Sequence, residues 1–417
     1  MKYKSLVWIA CAVGFFCTSR SNSVLAIAPE VVKLGSPELT AGIPSSADKL
    51  SVIEIKAFLE NPKNHVPLEF VLPLGLDQGK DAIYIPDDNP LTRAKIELGR
   101  QLYFDTRLSV DNSISCASCH HPDNGYGFNS QFGIGVNGQT GNRNSPVSFN
   151  RILSKGQFWD GRAGSLEDQA VGPMANAIEM GGSHTAVVTL VESNPGYKIQ
   201  FDKIFGRKSN IEDVGRAIAA FERVLVTGPS PYDYFEPVRK IEEAFAEEIQ
   251  DLNELKSDDP ELYTKYTKAK ALAAANPMSD AAKRGRTLFF SVKANCSACH
   301  VGANFTDELY HNLGVGMEAD KPDLGRYDFT KDEKDRGAFK TPTIRNIVQH
   351  GPYMHDGTQN TLEEVVEWYD KGGHPNPNLS NKIQKLGLTA QDKADLVAFM
   401  KALTGPLPVV AMSKLPE

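Results

Sequence analysis

Apolar residues recur along this chain with the period of a helix. Leu362, Val365, Val366 and Tyr369 fall at i, i+3, i+4 and i+7, which puts four side chains on one helical face. From Leu388 to Gly405 a terminal helix is predicted, capped by Thr389 and stopped at Gly405-Pro406. Ser165-Leu166-Glu167-Asp168 and Thr361-Leu362-Glu363-Glu364 read as two further helix starts, each a hydroxyl cap followed by acids. Residues 241–270 are dense in Glu and Lys at helical spacing and predict a solvated helical linker, with Asn276-Pro277 marking its end. Residues 27–80 carry scattered Pro and Gly turns and form an extension to which the pattern assigns no role. The expected fold is mainly α, helices joined by long loops, with no sheet beyond short strand pairs.

One apolar run has another meaning. Leu6 to Cys17 follows Lys2 and Lys4 and precedes Val24-Leu25-Ala26, the layout of a secretory signal peptide over residues 1–26. The run is shorter than the roughly 20 residues of a spanning helix, so a retained anchor is the weaker reading, and Gly14-Phe15-Phe16 makes a poor lipoprotein signal before Cys17. The mature chain is thus expected to be exported, to the periplasm, without a membrane span.

The chain also repeats itself. Leu98-Gly99-Arg100-Gln101-Leu102-Tyr103-Phe104 resembles Arg284-Gly285-Arg286-Thr287-Leu288-Phe289-Phe290. Further on, Ser145-Pro146, Asn150, Asp160-Gly161 and Leu166-Glu167 match Thr341-Pro342, Asn346, Asp356-Gly357 and Leu362-Glu363 at a constant offset of 196. Two copies of one unit are implied, residues 81–270 and 271–417.

Composition adds mainly exclusions. In 417 residues, 41% hydrophobic and 23% charged, there is enough apolar material for real cores, so disorder and collagen-like repeats are excluded. The net charge is -7, and -10 once the signal peptide with Lys2, Lys4 and Arg20 is removed, which advertises no surface for nucleic acid. The six cysteines carry the chemistry. Cys11 and Cys17 leave with the signal peptide; the other four form Cys116-Ala117-Ser118-Cys119-His120 and Cys296-Ser297-Ala298-Cys299-His300. C-x-x-C-H is the attachment signature of haem c: two thiols one turn apart add to the vinyl groups of one porphyrin, and the adjacent His ligates the iron. Two disulfides, or one zinc site with two C-x-x-C arms, are the alternatives. Zinc arms usually lie about 15–20 residues apart, whereas these are 180 apart and each has its own His.

What distinguishes the copies is the opposite face of each haem. At the offset of 196, Tyr369 corresponds to Pro173; a phenol oxygen can bind iron and proline cannot. The second haem is then six-coordinate through His300 and Tyr369, and the first keeps His120 and an open side. Helical spacing equally allows Tyr369 to be core, and Gly172-Pro173 equally reads as a helix end. Gln169 and Glu179 flank Pro173. A carboxylate there can move a proton from one oxygen of a peroxide to the other so that water leaves, although an arbitrary Glu is more often a solvated surface residue.

With its blocks Arg143-Asn144-Ser145-Pro146, Gln157-Phe158-Trp159-Asp160-Gly161-Arg162-Ala163, Gly172-Pro173-Met174 through Glu179-Met180, Phe339-Lys340-Thr341-Pro342-Thr343-Ile344-Arg345-Asn346 and Pro352-Tyr353-Met354-His355-Asp356-Gly357, the chain resembles the bacterial di-haem cytochrome c peroxidase and MauG family over residues 80–405. The resemblance implies two cytochrome-c-like domains, peroxide reacting at the first haem and the second haem acting as electron relay or store. It also implies that Trp159 couples the haems, that Glu179 is the acid/base of a pocket lined by Gln169 and Pro173, and that the Asn144 side chain binds calcium with the carbonyls of His350 and Pro352. Without the family, Trp159 reads as core and Asn144 as a turn residue.

Two departures sort the members. No His occurs between His121 and His184 to cap the first haem before a reductive activation, and Tyr369 stands where the relatives that need activation have Met. Both favour the MauG type. The implied partners are hydrogen peroxide and either a small redox protein (a cytochrome c or cupredoxin) or a protein substrate, with a homodimer as a further possibility. A non-catalytic di-haem electron carrier is the remaining alternative.

Overall fold

The computed structural model describes residues 31–417; the predicted signal peptide, with Cys11 and Cys17, lies outside them. Eight helices frame the molecule: α1 (Arg93–Phe104), α2 (Leu166–Ala175), α3 (Ile211–Val224), α4 (Pro231–Ala244), α5 (Pro260–Ala275), α6 (Asp280–Phe289), α7 (Leu362–Asp370) and α8 (Ala390–Lys401). The predicted caps form. Ser165, Thr361 and Thr389 accept hydrogen bonds from the backbone N–H groups of Asp168, Glu364 and Asp392, satisfying donors that a helix start leaves free. Among the described residues strands occur only as short pairs.

Each domain is built on one helix crossing, and glycine permits the approach. A Cβ on Gly99 of α1 would lie 1.9 Å from the Ala217 carbonyl oxygen of α3, and one on Gly285 of α6 would lie 1.8 Å from that of Asp395 in α8. Aromatic rings close the crossing in both copies: Tyr103 against Phe221 at 5.2 Å and Phe289 against Phe399 at 5.0 Å. Around these pairs grow two cores, one with Leu98, Leu102 and Ile218, the other with Phe305, Leu396 and Leu403.

The repeat extends to single hydrogen bonds. Asn150 and Asn346 both adopt left-handed backbone, and their side-chain oxygens accept from the N–H groups of Thr227 and Gly405. At the seam the copies exchange equivalent bonds: Asn144 N–H donates to the His355 carbonyl at 2.7 Å, and Lys340 N–H donates to the Trp159 carbonyl at 2.8 Å. Asn144 matches Lys340 and Trp159 matches His355 at the offset of 196, so a local two-fold relates the domains here. The Asn346 turn explains why α8 ends at Lys401 rather than at Gly405. The chain from Leu403 onward turns to meet Asn346, whose N–H and Nδ2 donate to the carbonyls of Leu403 and Gly405.

The rest departs from the sequence reading. The extension is structural: Val31–Lys33 pairs in parallel with Glu69–Val71, and Leu34, Leu39, Leu72 and Leu76 join the first core. The segment read as a solvated linker has an apolar centre of its own, Val238, Ile241, Leu255, Leu262 and Tyr266. Tyr232 and Phe235 of α4 pack on the second core, so this helix belongs to the second domain by contact although it precedes residue 270.

Candidate active site

Both C-x-x-C-H motifs follow the aromatic end of a lead helix, α1 or α6. Cys116–Cys119 forms a helical turn and Cys296–Ala298 a tighter one, which brings the two sulfurs of each motif to the same side. No disulfide links the four thiols. Burial pushes all of them up, Cys119 to about 11 and Cys296 to about 12, so they stand as neutral thiols. Zinc and disulfide exchange need thiolates; neutral thiols in apolar walls suit thioether tethers to a porphyrin. Desolvation likewise lowers both histidines, His120 to about 4, which keeps the imidazoles neutral with a lone pair for iron. His300 Nδ1 donates to the Phe305 carbonyl at 3.0 Å, which leaves the Nε2 lone pair free for a ligand role; His120 Nδ1 is buried without a partner among the described residues. Cys299 also sits with Asp307 and His311 within 4.8 Å, but a sulfur used as a haem tether is not available as a metal ligand there.

The second motif opens into a cavity of about 1770 Å³, its mouth included, lined by Cys296, Cys299, His300, Tyr369 and Met400. Tyr369 thus shares the wall of this cavity with His300. Its hydroxyl is held neutral by burial and by the neighbouring Cys299 and Cys296. Pro173 lies in the last turn of α2, where its carbonyl accepts from the N–H groups of Asn176 and Met180. Proline therefore closes the first copy's helix two residues before its end at Ala175. Gln169 is one turn earlier on the same face.

Glu179 follows in the turn after α2, with its N–H on the Asn176 carbonyl and its own carbonyl accepting from Val136 at 2.9 Å. Gly133 and Gly135 let this loop slip between the motif and the acid. Added Cβ atoms would meet Cys119 Sγ at 3.0 Å and the Glu179 carbonyl oxygen at 2.6 Å. The Glu179 charge is felt at the Cys119 and Cys116 thiols. Desolvation raises its carboxyl above the ordinary value, while Arg162 and Asn176 oppose the rise. His121, adjacent to the proximal His120, is tied down as the cap of a short turn, accepting from Asp123 N–H.

Between the domains, Trp159 is fixed at both ends. Its Nε1 donates to the Asn144 carbonyl at 2.8 Å, its carbonyl holds Lys340, and its ring lines the cavity of the second motif. Asn144, His350 and Pro352 line the same cavity. Asn144 Nδ2 donates to the carbonyls of Gln131 and Ser130 at 3.0 and 3.3 Å, which leaves Oδ1 as the acceptor of that side chain.

Several residues near these sites were not singled out in the sequence. Arg151 and Lys340 line the cavity. Glu222 on α3 is 4% exposed, and its charge is felt at the Cys116 thiol. The repeat held the signal: Arg151 aligns with Ile347 at the offset of 196, and Glu222 with Met400 when the α3 and α8 crossings are matched, so each puts an ionisable group where the other copy is apolar.

The comparisons agree with this geometry. A profile of the di-haem cytochrome c peroxidase family matches residues 93–241, and a cytochrome c profile matches residues 282–404. The methylamine utilization protein MauG of Methylorubrum extorquens is 35% identical over 335 residues, covering 79% of this chain and 84% of that protein. The cytochrome c551 peroxidase of Pseudomonas aeruginosa is 32% identical over 335 residues, covering 78% and 83%. The crystal structure of a MauG-like protein associated with microbial copper homeostasis superposes with a TM-score of 0.64 at 28% identity, over 83% of this chain and 95% of that one. This chain belongs to the di-haem cytochrome c peroxidase and MauG family of peroxidases, whose cytochrome c domains imply covalent haem c.

Proposed function

We propose that hydrogen peroxide is reduced at the first haem and that the second, held between His300 and Tyr369, stores an oxidising equivalent as in MauG-type enzymes. One observation carries this reading: Tyr369 lines the cavity of the second motif together with His300, whereas the matching place on α2 is Pro173, which offers no ligand atom. Bound haem supplies the redox chemistry, taking the oxidising equivalents released when the peroxide O–O bond breaks.

The protein side chains supply the rest. Glu179, as a carboxylate, takes a proton from one peroxide oxygen and returns it to the other, so that water departs. Gln169 and Pro173 shape the same pocket. Trp159, pinned at the seam by two hydrogen bonds, couples the two haems. A calcium ion held by Asn144 Oδ1 and the carbonyls of His350 and Pro352 suits the preference of a hard cation for oxygen and would stiffen this seam. Export to the periplasm follows from residues 1–26; among the described residues no helix is long and apolar enough to cross a membrane.

Spectra of the ferric protein as purified test the reading. One high-spin and one low-spin haem are expected, with a long-lived product after peroxide is added, and Tyr369→Phe should abolish the low-spin signature. Two low-spin haems at rest, or a low-spin haem untouched by Tyr369→Phe, would refute it. The second reading, a peroxidase fed by a small redox protein, draws on the relatives of that name at similar identity. It is favoured if reduced cytochrome c or a cupredoxin sustains rapid turnover.

A further inference from the structure

We infer that Arg151, a residue of the first domain, is the counter-charge for a propionate of the second haem. Arg151 opens a short turn, Arg151–Leu153, directly after the left-handed Asn150, and faces the cavity that holds Cys296, Cys299 and His300. Its hydrogen bonds end on neutral oxygens: Nε on Gln157 Oε1 at 2.9 Å, and Nη2 on Ser154 Oγ at 3.0 Å, the Gly156 carbonyl at 3.4 Å and again Gln157 Oε1. Among the described residues Nη1 has no acceptor, and no carboxylate forms an ion pair with this guanidinium.

Two acids are near enough to be felt, and neither is free to neutralise it. Glu308 is occupied by Lys340 Nζ and by Ser154 Oγ, the latter at 2.6 Å. Burial pushes the Glu222 carboxyl up to about 8, so at neutral pH it is mostly uncharged. Desolvation in turn pulls the Arg151 guanidinium below its usual value. A guanidinium partly shielded from water and without a carboxylate partner gains from one that enters through the cavity it lines.

The group that occupies this cavity brings its own carboxylates. A haem carries two propionates, and the planar fork of a guanidinium matches a carboxylate with two parallel hydrogen bonds. Arg151 is not a packing element of the repeat, since the equivalent residue is Ile347. One domain thereby holds the haem of the other, and the charge sets that haem's potential. A cation beside a propionate disfavours the more positive oxidised iron, so it raises the potential.

The test is a spectroelectrochemical titration of the full-length protein with both haems attached, comparing wild type, Arg151→Gln and Arg151→Lys. Arg151→Gln should lower the equilibrium constant for reducing the second haem at least tenfold, a shift of about 59 mV for one electron. Arg151→Lys should restore more than half of that, and the first haem should keep its potential. An unchanged second haem in Arg151→Gln, equal losses in both variants, or a shift confined to the first haem would each overturn the assignment. If Arg151→Gln does not accumulate, Arg151→Lys decides alone. Loss of the two-pronged contact should move the propionate bending bands of the second haem in resonance Raman spectra, and unmoved bands overturn the proposal.

Discussion

Burial acts on Glu179 and Glu222 in the same direction, with different consequences. For Glu179 the raised carboxyl bears on the proposed acid/base role: there the group must be ionised to take the first proton, so the peroxide reaction should accelerate as pH rises through its value and then level off. Glu179→Gln should slow the reaction by about 10²–10⁴-fold and flatten this dependence, measured by stopped-flow absorbance; a full rate in that variant removes the acid/base role. For Glu222 the effect falls on stability. Its folded-state value is about 8 against an ordinary 4.5, so between these limits the native protein keeps a proton that the unfolded chain releases, and stability falls as pH rises. Glu222→Gln should cancel that fall, leaving the variant about 4 kcal/mol more stable than wild type at pH 8 and nearly equal at pH 4.5. Denaturant unfolding at the two pH values decides. At this scale the sequence was legible where the copies could be compared for a ligand atom, as with Tyr369 against Pro173. For Arg151 and Glu222 the repeat marks the positions, as ionisable residues where the other copy has Ile347 and Met400, but their surroundings are visible only in the packing.

Helices form a second level, and here local chemistry reads well. The caps Ser165, Thr361 and Thr389 were visible as hydroxyls before acids, and each makes the expected bond. Thr361→Ala should cost about 1 kcal/mol and fray the first turn of α7, the helix that carries Tyr369; thermal unfolding followed at the second haem's low-spin band measures both. The crossing glycines were visible as a repeat without their reason. An added methyl at Gly99 or Gly285 would run into backbone carbonyls at 1.9 or 1.8 Å, so α1 or α6 must lift off its partner. Gly99→Ala and Gly285→Ala should each cost at least the 1–3 kcal/mol typical of overpacking, and a variant within 0.5 kcal/mol of wild type would show that the crossing is not held by close approach. Residues 241–270 are helical and mostly exposed, as their Glu and Lys suggest, but the few apolar positions, Leu255, Leu262 and Tyr266 among them, suffice for a small core once three helices meet, which the count alone hides. The extension was opaque for a different reason. Its strands are two or three residues long, too short for any period to register.

At the scale of the molecule, the chain past Gly405 ties the domains together. It leaves the second domain and runs over the first, where Tyr126 Oη donates to the Pro408 carbonyl and Thr40 Oγ1 to that of Val409. Arg100, fully buried, pairs with Glu97 and gives its remaining N–H groups to the carbonyls of Ala411, Ser413 and Lys414. Leu415–Pro416 then pairs with Lys49–Leu50 of the extension, and Asn194 Nδ2 reaches the Glu417 carbonyl at 2.6 Å. Among these bonds all the partners lie in the first domain or its extension, so the tail is a strap whose root is in one domain and whose grip is on the other. Removing residues 407–417 leaves the Arg100 guanidinium with unfilled donors in a buried site, a costly state, and strips the short strand Lys49–Leu50 of its partner. Among the described hydrogen bonds the second domain loses none. Two domains joined by a modest interface unfold separately once the tie is cut. Calorimetry should therefore show one transition in the full chain and two in the truncated chain, the earlier one belonging to the first haem. A single transition at an unchanged temperature would mean that the seam around Asn144 and Trp159 holds the domains without the strap.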